Sequence, residues 1–506
     1  MTAWNVGLAL PEWILAGAGL LAMWLDARTP PDKKDGIQNV AWAGVLLATL
    51  AAVFQGVRLW DPGDSVAAGG GKIYAFRGHY GLDAFAVFLK VLFGVSTLLV
   101  LSLARSWLKR VDRGHGEFVM LTLFATLGMF FVCSVEDFAG LFVALELVTV
   151  SFYCLTAFKR NDERAVEAGL KYVVLGALAS SFLVLGIAFV YGGTGSLDFA
   201  ALRSDDVAQD LAHGGAPLLH FGLLLVVIGL GFKIAAVPFH VWTPDVYEGA
   251  ASPVTAFLSV GSKMAGITLL LKVVRACLGP GGDAGLAQAT PWILLIACIS
   301  AATLLYGNLG ALWQGNIKRL LGYSSIGHAG YVLMGVFAFD QRGVAAILYY
   351  LTAYLFTVLG IFAVVVVVSR QTKSHSVADY AGLARRSPLL AFVLLCGLLS
   401  LAGVPPFGGF FGKFLVFQAV VGKGTPTAYG LALVGAAGVV ISLYYYLVIV
   451  KRIYMEEGVS EEPIVPSRGM KAVLYTCLAG VFILGIWPSP FLELAQRAAS
   501  ALSSAS

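Results

Sequence analysis

Six ionisable side chains stand inside apolar runs: Glu146, Lys171, Lys233, Lys263, His328 and Lys413. Lys, Glu and His without a cofactor can still exchange protons. Burying an ammonium lowers its pKa by several units, which brings a lysine within reach of neutral pH. A charge about 7 Å away contributes roughly 2.4 kcal/mol at an effective dielectric near 20. Moving a carboxylate toward or away from a buried lysine would therefore switch it between a loaded and an empty state. Hydrocarbon penalises such groups, so each is a functional hypothesis by default.

Their depth differs. Glu146 lies near the middle of VEDFAGLFVALELVTVSFYCLTAF, too deep to snorkel, and Lys263 is similarly central. Lys233 precedes Pro238, and Lys413 follows Pro405 and Pro406 in LLSLAGVPPFGGFFGKFLVF. Lys171 is only a few residues inside its run, and His328 sits within YSSIGHAGYVLMG. Two plainer roles compete with proton transfer: a lysine reaching the interface, and a Glu–Lys clamp between helices. The first suits Lys90 in FAVFLKVLF and stands level with a functional role for Lys171. His328 alone divides evenly between packing and relay.

The elements that position these groups follow from composition. The chain has 506 residues, 58% hydrophobic and 12% charged, which places it among integral membrane proteins. Spans need roughly 20 apolar residues, and about fourteen such runs are present. They centre on Ile14, Leu50, Leu92, Ala125, Leu147, Leu178, Val227, Ile267, Ile296, Leu333, Leu359, a long run from Leu389 to Val421, Val434 and Val481. The predicted fold is an all-α membrane protein in one block, with both broken helices at prolines. The first run carries Glu12 and lacks a basic leader, so it is expected to stay as a helix.

Orientation comes from loop charge. The loops at 26–39, 105–116, 159–164, 313–319, 370–386 and 451–468 hold roughly 19 Lys and Arg, against about 5 in the alternate set. The first set is expected to be cytoplasmic, with both termini and the segments 61–80 and 192–217 outside. The long run at 389–421 would measure about 50 Å as one helix, more than a bilayer, so a break near Pro405 is expected. AAVPF (Ala235 to Phe239) and AGVPPF (Ala402 to Phe407) look like one element used twice in opposite directions. That predicts two five-helix repeats of inverted topology, at 117–275 and 291–450, after three helices in 1–116 and before a last helix at 471–488.

Other chemistries find no support. Cys133, Cys154, Cys277, Cys298, Cys396 and Cys477 are scattered one per run, unlike the grouped thiolates of a cluster site, and read as small buried hydrophobes. The glycine clusters at 69–71, 192–195 and 279–282 lack a phosphate-loop setting and read as turns. No HExxH or axial histidine pair is evident, so neither a metal nor a cofactor is expected in this chain. A net charge of +5 spread over loops gives no nucleic acid footprint.

Four stretches carry a family resemblance: PFHVWTPDVYEGAASPVTAFLS, NIKRLLGYSSIGHAGY, EAGLKYVVLGALASSF and LAGVPPFGGFFGKF. They resemble the subunit N family of bacterial respiratory NADH:quinone oxidoreductase, complex I, over nearly the whole chain. The resemblance implies an antiporter-like subunit of the membrane arm of a bacterial cytoplasmic membrane complex, beside another such subunit. NADH, FMN, iron–sulfur clusters and quinone would act through other subunits. It makes Glu146 and Lys233 a coupling pair, Lys263 the central proton carrier and Lys413 the terminal lysine toward the outlet. Lys171 and His328 match further positions on the polar axis. Ala251-Ser252 replaces the family's usual Pro-Thr, in a link rather than at a titrating residue. A component of a multisubunit cation/proton antiporter has the same helices, but the YEGA run and Lys413 favour subunit N.

Overall fold

The computed structural model describes residues 3–29, 35–59, 72–109, 114–204, 206–207, 209–210, 216–277, 290–338, 340–458 and 462–504. Helices dominate, because a backbone in hydrocarbon must satisfy its own polar groups. In chain order they are α1 (Ala3–Leu8), α2 (Leu10–Arg28), α3 (Asp35–Leu59), α4 (Ala84–Leu108), α5 (His115–Ser134), α6 (Phe138–Thr156) and α7 (Glu163–Thr194). The run continues with α8 (Pro217–Ile234), α9 (Trp242–Gly249), α10 (Ser252–Ala276), α11 (Thr290–Ala311), α12 (Ile317–Phe337) and α13 (Gln341–Thr372). It ends with α14 (Pro388–Ala402), α15 (Gly408–Val421), α16 (Pro426–Met455), α17 (Arg468–Ile486) and α18 (Ser489–Ser504). A small antiparallel hairpin, β1 (Ile73–Ala75) with β2 (Tyr80–Leu82), precedes α4.

Twelve helices among the described residues are long and apolar enough to cross a membrane. Adding α2, and taking α14 and α15 as halves of one span, gives the fourteen anticipated. The breaks fall where the prolines place them. Helix α8 ends at Ala235 (φ 62°) and α14 at Gly403 (φ 86°), both left-handed. In each, the next amide reaches back to close the helix, Ala236 N to Gly231 O at 2.9 Å and Val404 N to Leu399 O at 3.0 Å.

The internal repeat extends to the level of single hydrogen bonds. Asp137 caps α6 and Asn316 caps α12, each accepting from the first turn. Asp137 bridges to Asp198 and Asn316 to Ser376, just beyond the 32-residue helices α7 and α13. Phe138 N donates to Leu197 O and Ile317 N to His375 O, both at 2.9 Å. Thr194 and Thr372 end those helices with the same pair of bonds, back to the carbonyl four residues earlier and on to the one two residues later.

The repeats are not equally enclosed. Helices α10, α12 and α13 are almost wholly buried and form the central axis, whereas α7 and α16 leave most of their surface open. Helix α13 packs against α4, α12, α14, α15, α17 and α18.

Several expectations change. Lys90 does not reach an interface: it is fully buried, 2.6 Å from Glu12 and 2.7 Å from the Tyr80 hydroxyl. Reaching polar water is needless when a carboxylate stands beside it. Cys154 and Cys298 are exposed on α6 and α11, while the other four cysteines are buried. Gly192 and Gly193 belong to the last turn of α7, with Gly195 as its left-handed cap. The glycine clusters at 69–71 and 279–282 lie outside the described residues. Helix α18 was not anticipated: it presents Ala495, Ala498 and Leu502 to the protein, and its Leu502 carbonyl accepts from Arg275 Nε at 3.2 Å.

Candidate proton path

Glu146 and Lys233 come from α6 and α8. The Lys233 ammonium is buried, donates to Thr149 Oγ1 at 2.9 Å and lies 4.0 Å from Glu146 Oε1. The same carboxylate oxygen accepts from Ser180 Oγ of α7 at 2.6 Å, and a quarter of the Glu146 side chain remains accessible. Its face of α6 also shows Val143 and Val150, so the carboxylate sits at the margin of the chain rather than in its centre.

Lys263 follows a single π turn, Leu258–Ser262, inside α10. Such turns insert one residue into a helix and often mark functional sites. The Lys263 ammonium donates to the Ser325 carbonyl at 2.8 Å and to the Ser325 hydroxyl. Ser325 Oγ also meets the hydroxyls of Tyr247 at 3.1 Å and Tyr354 at 3.0 Å. No carboxylate pairs with Lys263 among the described residues. Helix α10 also touches the first station directly, since a Cβ on Gly266 would lie 3.1 Å from Lys233 Cβ.

One turn beyond Ser325, His328 pairs through Nδ1 with the Tyr350 hydroxyl and through Nε2 with that of Tyr446 at 3.3 Å. Lys263, Ser325, His328, Tyr350 and Tyr354 border one small cavity of about 20 Å³, whose surface is almost wholly apolar. Lys413, buried on α15, donates to the Ala402 carbonyl at 3.1 Å and lies 4.6 Å from the centre of the Tyr331 ring. Gly403 suits this place twice: its φ is positive, and a Cβ there would come within 2.9 Å of Lys413 Cδ.

Lys233, Lys263, His328 and Lys413 are thus all buried, with Glu146 beside Lys233 at the margin. Lys171 stands apart from them. Two-fifths exposed, its ammonium lies 2.8 Å from both Glu167 and Asp245, and Asp245 in turn meets Arg319 at 2.6 Å. Sequence reasoning passed over the hydroxyls around Lys263 and His328, above all Ser325, Tyr350 and Tyr354. Their signal was present: Ser325 lies within a quoted motif, and Tyr350 and Tyr354 share one face of an apolar helix at i,i+4.

A bundle of this topology, with buried lysines in both broken repeats, defines an antiporter-like membrane subunit. Residues 135–441 match the family described as "NADH:quinone oxidoreductase/Mrp antiporter, TM". Among similar curated proteins, NADH-quinone oxidoreductase subunit N of Desulforamulus reducens is 38% identical over 98% of both chains. That of Rhodospirillum rubrum is 39% identical over 99% of this chain and 98% of its own. A chain of respiratory complex I from Thermus thermophilus superposes with a TM-score of 0.78 at 31% identity, covering 96% of this chain and 99% of that one. One from the Mrp complex of Dietzia sp. reaches 0.85 at 22% identity over 99% and 98%, a likeness of fold. The chain belongs to the subunit N family of NADH-quinone oxidoreductase.

Proposed function

We propose that this chain is a proton-translocating subunit of the membrane arm of NADH:quinone oxidoreductase, and that Glu146, Lys233, Lys263, His328 and Lys413 carry the protons. NADH, FMN, iron–sulfur clusters and quinone belong to other subunits, and a neighbouring antiporter-like subunit packs beside this one in a bacterial cytoplasmic membrane. The observation that carries the reading is the buried hydrogen bond from Lys263 of the first repeat to Ser325 of the second, one helical turn from His328.

Glu146 sets the charge state of Lys233. A carboxylate at 4 Å stabilises an ammonium by about 4 kcal/mol at an effective dielectric near 20, and partial exposure of Glu146 reduces that. Drawing Glu146 aside frees the proton for Lys263 across the α8–α10 contact. His328 receives it through Ser325, and Lys413 delivers it outward. The basic loop set faces the cytoplasm, so both termini face outward, and 117–275 and 291–450 are the two functional repeats. Lys171 steadies Asp245 at the uptake end, apart from these carriers. Each proton moved against the membrane potential costs about 2.3 kcal/mol per 100 mV, which electron transfer in the other subunits must provide.

The test is Lys263→Met in the whole complex, reconstituted in proteoliposomes. Expected is a lower proton-to-electron ratio with the subunit set unchanged. An unchanged ratio and unchanged quinone reductase activity would sink the carrier role.

A further inference from the structure

A second cavity, of about 510 Å³, opens on the loop face richest in Lys and Arg, and none of the proposed carriers lines it. It is a crease between the repeats: Lys159 and Asp162 come from the α6–α7 link, Arg164 from the first turn of α7, Arg370 from the last turn of α13, and Lys373 and His375 from the chain just after it. Lys318 and the chain from Glu248 to Pro253 also line it. Five lining cations thus face two carboxylates, one shared with Lys159 inside the crease and one turned to Arg319 outside it. Asp162 lies 3.9 Å from Lys159 and caps α7, while Glu248 meets Arg319 at 3.1 Å. Lys318, buried, is held by the carbonyls of Glu248 and Ala250, each at 2.6 Å. No carboxylate pairs with Arg164, Arg370 or Lys373 among the described residues.

His375 reports the local field. Burial, then the charges of Lys318, Lys159 and Arg164, push its pKa down to about 3, so the imidazole stays neutral where it stands among cations. Its Nδ1 is buried without a hydrogen-bond partner among the described residues. An anion with several acceptor oxygens would engage the unpaired guanidinium groups, whose fork geometry matches phosphate.

Next to this crease lies another cavity, of about 360 Å³, which shares Ser106 and Arg370 with it. Its walls mix Val367, Ile464 and Val465 with Arg370, Gln371 and Ser467. A groove of mixed polarity opening beside a cationic one leaves room for a phosphate group, whether free or carried on a lipid head.

We propose that the crease between the repeats binds a phosphate group on Arg164, Arg370 and Lys373, the headgroup of a phospholipid or a free phosphate, which the test below separates. Bound there, the ligand would tie the two repeats together on the face opposite the hairpin of β1 and β2.

The test uses the complete complex in nanodiscs containing photoactivatable phosphatidylglycerol, with adducts mapped on this chain. Labelling is expected on the peptides spanning 159–164 and 366–375, reduced at least fivefold by the triple variant R164Q/R370Q/K373Q. Quinone reductase activity should show that the variant complex is assembled, and R164K/R370K should keep most of the labelling. Displacement by unlabelled phosphatidylglycerol but not by inorganic phosphate assigns the site to a lipid. Displacement by inorganic phosphate alone assigns the same residues to a free phosphate. Labelling of these peptides that the triple variant leaves unchanged, or none above background, overturns the proposal.

Discussion

Glu146 and Ser325 occupy equivalent places in the two repeats: each lies nine positions after the capping residue of its helix, Asp137 for α6 and Asn316 for α12. Each also faces a buried lysine, Glu146 at 4.0 Å from Lys233 and the Ser325 carbonyl at 2.8 Å from Lys263. One lysine therefore has a full counter-charge and the other only dipoles. Repetition of the scaffold has thus set one buried lysine against a carboxylate and the other against a carbonyl and hydroxyls.

Replacing Glu146 by Gln removes that difference. If half of the roughly 4 kcal/mol Coulomb interaction survives solvent exposure, about 2 kcal/mol is lost, more than a factor of ten. Proton translocation by the reconstituted complex should fall by about that factor, with Glu146→Asp in between. Wild-type pumping in E146Q would show that the carboxylate serves packing alone.

The tyrosines around His328 should matter in proportion to their contact. Tyr350→Phe removes the partner of Nδ1, and Tyr446→Phe the longer contact to Nε2. A lost buried hydrogen bond of about 1 kcal/mol corresponds to roughly fivefold. Turnover coupled to pumping should drop several-fold in Y350F and less in Y446F. Equal turnover in Y350F and wild type would remove Tyr350 from the path.

Lys90 and Glu12 test the opposite case, a dry ion pair outside the proposed path. Deleting one partner of such a pair costs about 3–5 kcal/mol, whereas replacing both with apolar groups of similar size is often neutral. Glu12→Gln should therefore lower the temperature at which the chain leaves the heated complex, and E12Q/K90M should restore much of the loss. Additive losses in the double variant would deny the pairing.

What the sequence disclosed and what it hid divide along one line. Apolar runs, their prolines and their loop charges are local, so the spans and the break at Pro405 could be read directly. Lys90 was misjudged because its carboxylate lies 78 residues earlier in the chain, at Glu12, and one sequence does not pair remote charges. The Lys263–Ser325 contact spans 62 positions and was hidden for the same reason. Helix α18 was legible in principle: Leu492, Ala495, Ala498, Ala499 and Leu502 follow helical spacing, but the segment is too short and polar to register as a span. Lys171 entered the candidate set as a lysine just inside an apolar run, and its placement depends on Asp245, 74 positions away.

The last prediction concerns acid. Glu136 lies in the link between α5 and α6, 2.8 Å from Lys72 and 3.1 Å from Lys272, and so clamps the strand hairpin to α10. Burial raises its pKa, but the charges of Lys272 and Lys72 outweigh burial and the net direction is down. A carboxyl whose folded pKa is lowered binds fewer protons folded than unfolded. Its stabilisation is complete above the unfolded value of about 4.3 and is lost as pH falls through the lower folded value. Heat resistance of this chain within the complex should therefore be level in Glu136 from neutral pH to about 5 and decline below it. Glu136→Gln should start lower at neutral pH by about 3 kcal/mol, the cost of leaving a buried charge unpaired, and should show a shallower decline. The measurement is the midpoint for loss of soluble chain on heating, followed across pH in both proteins. Parallel curves for the two would mean that Glu136 does not hold the hairpin.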